Sequence, residues 1–179
     1  MTMRGSPKAW IGEINVYLHI TSAGGNGPYA WCARIVDGDM VAEIGGTSSV
    51  DHDTRLTVIG MTEALNFLKT PYIVKLICSN YEYAVKYVLD RLDPSMEEGL
   101  RKRKVSNLDL FPELRSAVRK HVAVEGVEIH KDDRDEEHLR AIEAAKRLLE
   151  ELKETPSPIF QPISRVADST TSAAVSMPW

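Results

Sequence analysis

The sequence predicts an α/β domain in which a mixed sheet carries helices on both faces, and three observations lead there. Three short segments near the start, alternating or rich in β-branched residues, are separated by tight-turn signals, the pattern of an antiparallel meander. From about residue 53 the apolar residues recur every three or four positions instead of every two, which is a helical period. The run YIVKLIC, from Tyr72 to Cys78, is almost continuously apolar, as expected of a central strand covered on both faces.

In order along the chain, EINVYLHI (Glu13 to Ile20) alternates and is rich in β-branched and aromatic residues, which suits a first strand. The turn TSAGGNGP (Thr21 to Pro28) supplies glycines for positive backbone angles and a proline that fixes re-entry into a second strand, Tyr29 to Val36. Asp37, Gly38 and Asp39 turn the chain into a third strand, Met40 to Gly45. Asp53 or Thr54 caps a helix reaching Leu68, with Leu56, Ile59, Ala64, Leu65 and Leu68 along its apolar side. After the fourth strand, Ser79 or Asn80 opens a helix that Asp93 and Pro94 stop beyond Leu92. A short helix from Leu108 to Lys120, a last strand from Val122 to His130 and a long helix from about Asp133 to Lys153 complete the pattern. Beyond it the chain turns to prolines and small polar residues without periodicity, so residues 1–154 are expected to form one domain and 155–179 an extended or disordered tail.

A chain of 179 residues with 43% hydrophobic content can bury one core. A formal charge of -4 excludes a uniformly basic surface, so any nucleic-acid contact must be local. Cys32 and Cys78 are too few for a disulfide framework, and the sequence shows neither the apolar run of a signal peptide nor that of a membrane span. A soluble, cytoplasmic protein of a reducing compartment is the expectation.

The element order, and five motifs within it, resemble the ribonuclease H family. ITSAGGNG stands where that family has a DGS-x-x-GN turn and keeps Ser22, Gly25 and Asn26; DTRLTVIGMTEAL resembles its first helix and keeps Arg55, Ala64 and Leu65. CSNYEY is similar to the end of its fourth strand, with Tyr83 in place. KVSNLDLFPEL follows the family's basic loop, with Asn107, Asp109, Leu110 and Leu114, and DDRDEEHLRA resembles the opening of its last helix. The resemblance covers roughly residues 10 to 150 and implies a mixed five-stranded sheet.

It also implies a site, and here the residues depart. The family holds two divalent metals with four carboxylates. This chain has Ile20 (or His19, one place earlier) at the first-strand position, Thr57 in the first helix and Asn80 after the fourth strand; an acid remains only in the last helix, Glu137 or its neighbour Glu136. Magnesium takes oxygen ligands and no aliphatic substitute. The expectation is therefore a catalytically inactive module without cofactor, a nucleic-acid-binding or protein-interaction subunit. The alternatives are a magnesium-dependent ribonuclease H cleaving RNA in RNA/DNA hybrids and a structural subunit of a larger complex.

Within the first expectation, Arg101, Lys102, Arg103 and Lys104 stand where the family's basic loop grips phosphates, and Asn26 lies on its backbone-contacting turn. A solvated loop neutralised by Glu97 and Glu98 explains the basic run equally well, and Glu82 would repel a phosphate. His130 with Asp132, Asp133 and Asp135 reads as acids complementing a helix N-terminus. In the tail, Phe160 and Trp179 are the expected anchors for a protein partner or for self-assembly, because aromatic residues contribute most at interfaces.

Overall fold

The computed structural model describes residues 12–25, 27–49, 51–78, 89, 106–154 and 163–166. The meander is β1 (Glu13–Ser22), β2 (Tyr29–Asp37) and β3 (Met40–Ser48). It is followed by α1 (Asp53–Phe67) and β4 (Ile73–Cys78). Then come α2 (Phe111–Val118), β5 (Ala123–Glu128), α3 (Glu136–Glu154) and β6 (Ile163–Val166). The helix expected from residue 79 or 80 to 92 lies outside the described residues except for Leu89, which packs against the core.

The strands lie in the order β5-β4-β1-β2-β3-β6. β1 is antiparallel to β2 and parallel to β4, so the sheet is mixed as expected. β1 also separates the strands that carry Cys32 and Cys78, and both side chains are buried. The first five strands take the expected arrangement; β6, from the segment expected to be an extended tail, adds a sixth by pairing antiparallel with β3.

Alternation along β1 sorts its side chains between two layers. Ile14, Val16, Leu18 and Ile20 join Trp31, Leu56, Val58, Leu65, Phe111 and Leu114 in one apolar core between the sheet and α1 with α2. Burial of each large side chain there stabilises by about 1.5–3 kcal/mol. Gly60 lets α1 come this close, since a Cβ there would meet Leu18 Cδ1 at 2.7 Å and the Trp31 ring at 3.1 Å. On the opposite face Cys32 packs with Ala144 and Ala145 of α3. Gly45 on β3 serves that approach, because its Cβ would lie 2.5 Å from Leu148 Cδ1 and 2.7 Å from the Trp31 carbonyl.

The last helix begins at Glu136, three residues later than expected. Lys131–Asp133 form a separate 3-10 turn. Asp135 is the acid that caps the helix, accepting the His138 N–H at 2.8 Å. Among the described residues, no helix is long and apolar enough to cross a membrane.

Candidate functional site

Of the four positions the family resemblance points to, three are described. Ile20 is 4% exposed and belongs to the apolar core under α1. Thr57 is fully buried, and its hydroxyl donates to the Asp53 carbonyl one turn back at 2.9 Å. Glu137 lies in the first turn of α3, on the other side of the sheet. Asn80 lies outside the described residues, as do Asn26, Arg101, Lys102, Arg103, Lys104, Phe160 and Trp179.

Glu137 is engaged. Arg34, in the middle of β2, donates through Nε to Glu137 and through Nη1 to Glu43 of β3. The sheet register explains half of this, because Arg34 lies directly opposite Glu43. The other half comes from α3, whose first turn lowers Glu137 onto the same guanidinium. Arg147 stands 3.5 Å from Glu43, and Arg140 stands 3.5 Å from Glu137. Burial opposes the charge on Arg34, but its bonds to Glu137 and Glu43 outweigh that and raise its pKa above the ordinary value. A buried cation paired in this way fixes where α3 sits, and removing one partner leaves an uncompensated charge.

Beside this pair lies a second polar group. Tyr17 donates to Asp135 Oδ2 at 2.9 Å, and burial together with that carboxylate pushes its pKa up to about 12. The His138 ring meets Tyr17 edge-on at 6.2 Å and His19 at 6.0 Å. His138 is fully buried and, among the described residues, neither of its ring nitrogens nor Nδ1 of His19 has a hydrogen-bond partner. Burial, then the neighbouring His138 and the cations Arg134 and Lys146, pull the His19 pKa down to about 4. No motif in the sequence marks Arg34, Tyr17 or His138; an arginine inside the apolar strand AWCARIV is the available signal, since such a residue needs buried acids.

Comparison with known proteins places this arrangement. No protein-family model matches the chain. A ribonuclease H of Chlorobium chlorochromatii (strain CaD3) is 28% identical over 126 residues, covering 68% of this chain and 86% of that protein. Another, from Cupriavidus metallidurans (strain ATCC 43123 / DSM 2839 / NBRC 102507 / CH34), is 30% identical over 112 residues, covering 61% of this chain and 77% of that one. The chain belongs to the ribonuclease H family. Among solved structures, LC9-RNase H1, described as a type 1 RNase H with the type 2 active-site motif, superposes with a TM-score of 0.61 at 16% identity, covering 78% of this chain and 73% of that one.

The ribonuclease H resemblance implies divalent magnesium, and the described residues do not fit it. Ile20 offers no donor atom, Thr57 spends its hydroxyl on its own helix, and Glu137 is bonded to Arg34. Among the described residues no group of three or more His, Cys, Asp or Glu side chains is placed to hold a metal ion.

Proposed function

We propose that this member of the ribonuclease H family is catalytically silent and keeps the fold as a nucleic-acid-binding module. The observation that carries the reading is Glu137 bonded to Arg34 across the sheet from buried Ile20 and Thr57. Two-metal hydrolysis needs several carboxylates converging on one point to hold the ions against their mutual repulsion. An isoleucine, a threonine and an acid already neutralised by an arginine provide no such charge. Membership of a family named for acting on RNA supports nucleic acid as the partner, and Arg101, Lys102, Arg103 and Lys104 form the local basic run that an acidic chain needs for a salt-dependent, sequence-blind contact.

A metal-dependent nuclease is the second reading, and what favours it is that the relatives at 28% and 30% identity are themselves named ribonuclease H. One experiment separates the two. Incubation with an RNA/DNA hybrid and magnesium or manganese is expected to give no cleavage, while the intact hybrid binds at low salt and is released as salt rises. Turnover that Glu137→Ala abolishes would overturn silence. Binding that survives replacement of all four basic residues by Ala would remove that loop as the contact.

A further inference from the structure

β6 is a strand that the first five do not require. It lies at the edge of the sheet, with Ala42, Glu43, Ile44 and Gly45 of β3 opposite Val166, Arg165, Ser164 and Ile163. The pairing covers four of the nine residues of β3. Backbone donors and acceptors along an edge strand form a template that any matching extended segment satisfies. The segment that demonstrably matches this template belongs to the chain itself.

The connection makes that match exchangeable. Residues 155–162 join α3 to β6 and include Pro156, Pro158 and Pro162. Eight residues span at most about 29 Å when extended. A tether of this length keeps the strand near its own β3 at an effective concentration of roughly 1 mM. Four paired residues form a short contact, and the same four pairs form equally well with the β3 of another copy.

We propose that the β3 edge is an interface between copies of this chain, in which residues 163–166 of each copy pair with β3 of the other to give a two-fold dimer. Each copy gives a strand and receives one, so the interface closes on itself and builds no filament. The dimer uses no contact that is absent from the single chain. Its formation is governed by concentration and by the connector.

Paired cysteines test this in the full chain. Ala42 and Val166 face each other in the register, and opposed residues of an antiparallel pair lie within disulfide range. Cys32 and Cys78 are buried and do not compete. The variant Ala42→Cys with Val166→Cys is expected to oxidise within one chain at about 10 µM, with the interchain fraction rising roughly fiftyfold, to about half, at about 1 mM. Mixing with a size-tagged copy of the same variant before oxidation should yield the tagged–untagged dimer. Intrachain disulfide alone at every concentration overturns the proposal, and so does a folded protein that forms no disulfide at all. Light scattering on the parent chain gives an independent reading. Its mass is expected to approach the dimer value over the same range, and Ser164→Pro with Arg165→Pro, which removes two successive N–H donors and so at least one facing β3, should hold it at the monomer. A parent chain that stays monomeric to about 1 mM overturns the proposal equally.

Discussion

The two faces of the sheet are built by different physics. Under α1 and α2 the side chains of Ile14, Val16, Leu18 and Ile20 meet Leu56, Val58, Leu65, Phe111 and Leu114, and the layer is held by removal of apolar surface from water. Under α3 the sheet presents Tyr17, His19, Cys32 and Arg34, and the helix answers with Glu137, His138, Ala144 and Ala145. The first layer is built almost wholly of groups that do not titrate, His121 with its bond to the Leu65 carbonyl being the exception; the second fixes α3 in place through charge and hydrogen bonds. The acid retained at the family's last-helix position has joined the second layer, where it orients a helix. The neighbouring positions on β1 and α1 have joined the first.

The largest effect that tests this contrast is Thr57→Glu. If the α1 layer is closed apolar packing, a carboxylate there has no cation to pair with, and the cost is expected to be about 3–5 kcal/mol in urea unfolding near neutral pH. Magnesium should restore none of it. Stability recovered by millimolar magnesium would mean that Thr57 opens onto a metal-binding cleft, and the apolar description of that face would fail.

Arg34→Met is expected to have a smaller effect, about 2–3 kcal/mol, because Glu43 and Glu137 lose their buried cation but keep Arg147 and Arg140 at 3.5 Å and, at 19% and 26% exposure, are partly relieved by water. Adding Glu43→Gln and Glu137→Gln should return most of the loss, since the isolated charges are then gone. A single substitution that costs under about 0.5 kcal/mol would show that the ion pairs do not hold α3, and the two faces would then differ in composition alone.

What the sequence made legible follows the same division. Strand β4 and the apolar side of α1 were readable because burial imposes a period, and a period survives in one dimension. Ile20 was readable as a sheet residue for the same reason. The Arg34–Glu137 bond joins residues 103 positions apart and depends on which strand neighbours which, so no local pattern announces it. The sequence predicts too early a start for α3 because Asp132, Asp133 and Asp135 all look like caps, and only backbone geometry selects Asp135. β6 is not visible in the sequence because four residues next to Pro162 are too short for alternation to show, and its partner is 118 residues away at the closest pair.

The smallest expected effect is in pH dependence. His19 has its pKa pulled from the ordinary 6.5 to about 4, chiefly by burial and then by His138, Arg134 and Lys146. His138 is lowered as well, by burial and Arg134 against the opposing pull of Asp135. A histidine depressed in the folded state takes up its proton first in the unfolded chain. Stability is therefore full above about pH 6.5, falls as pH drops towards about 4, and levels off below that. For His19 alone the loss between about pH 7 and about pH 5.5 is about 1 kcal/mol. On the other side of the sheet His121, bonded to the Leu65 carbonyl at 3.0 Å and accepting the Tyr72 N–H at 3.4 Å, is also lowered by burial and adds its own share. His19→Leu should thus reduce the slope of stability against pH without abolishing it, with the remainder belonging to His138 and His121. Urea unfolding at several pH values reads this directly. A slope that His19→Leu leaves unchanged would mean that His19 gains its proton without leaving the fold, and the α3 face would then be open to water and no longer a packed polar layer.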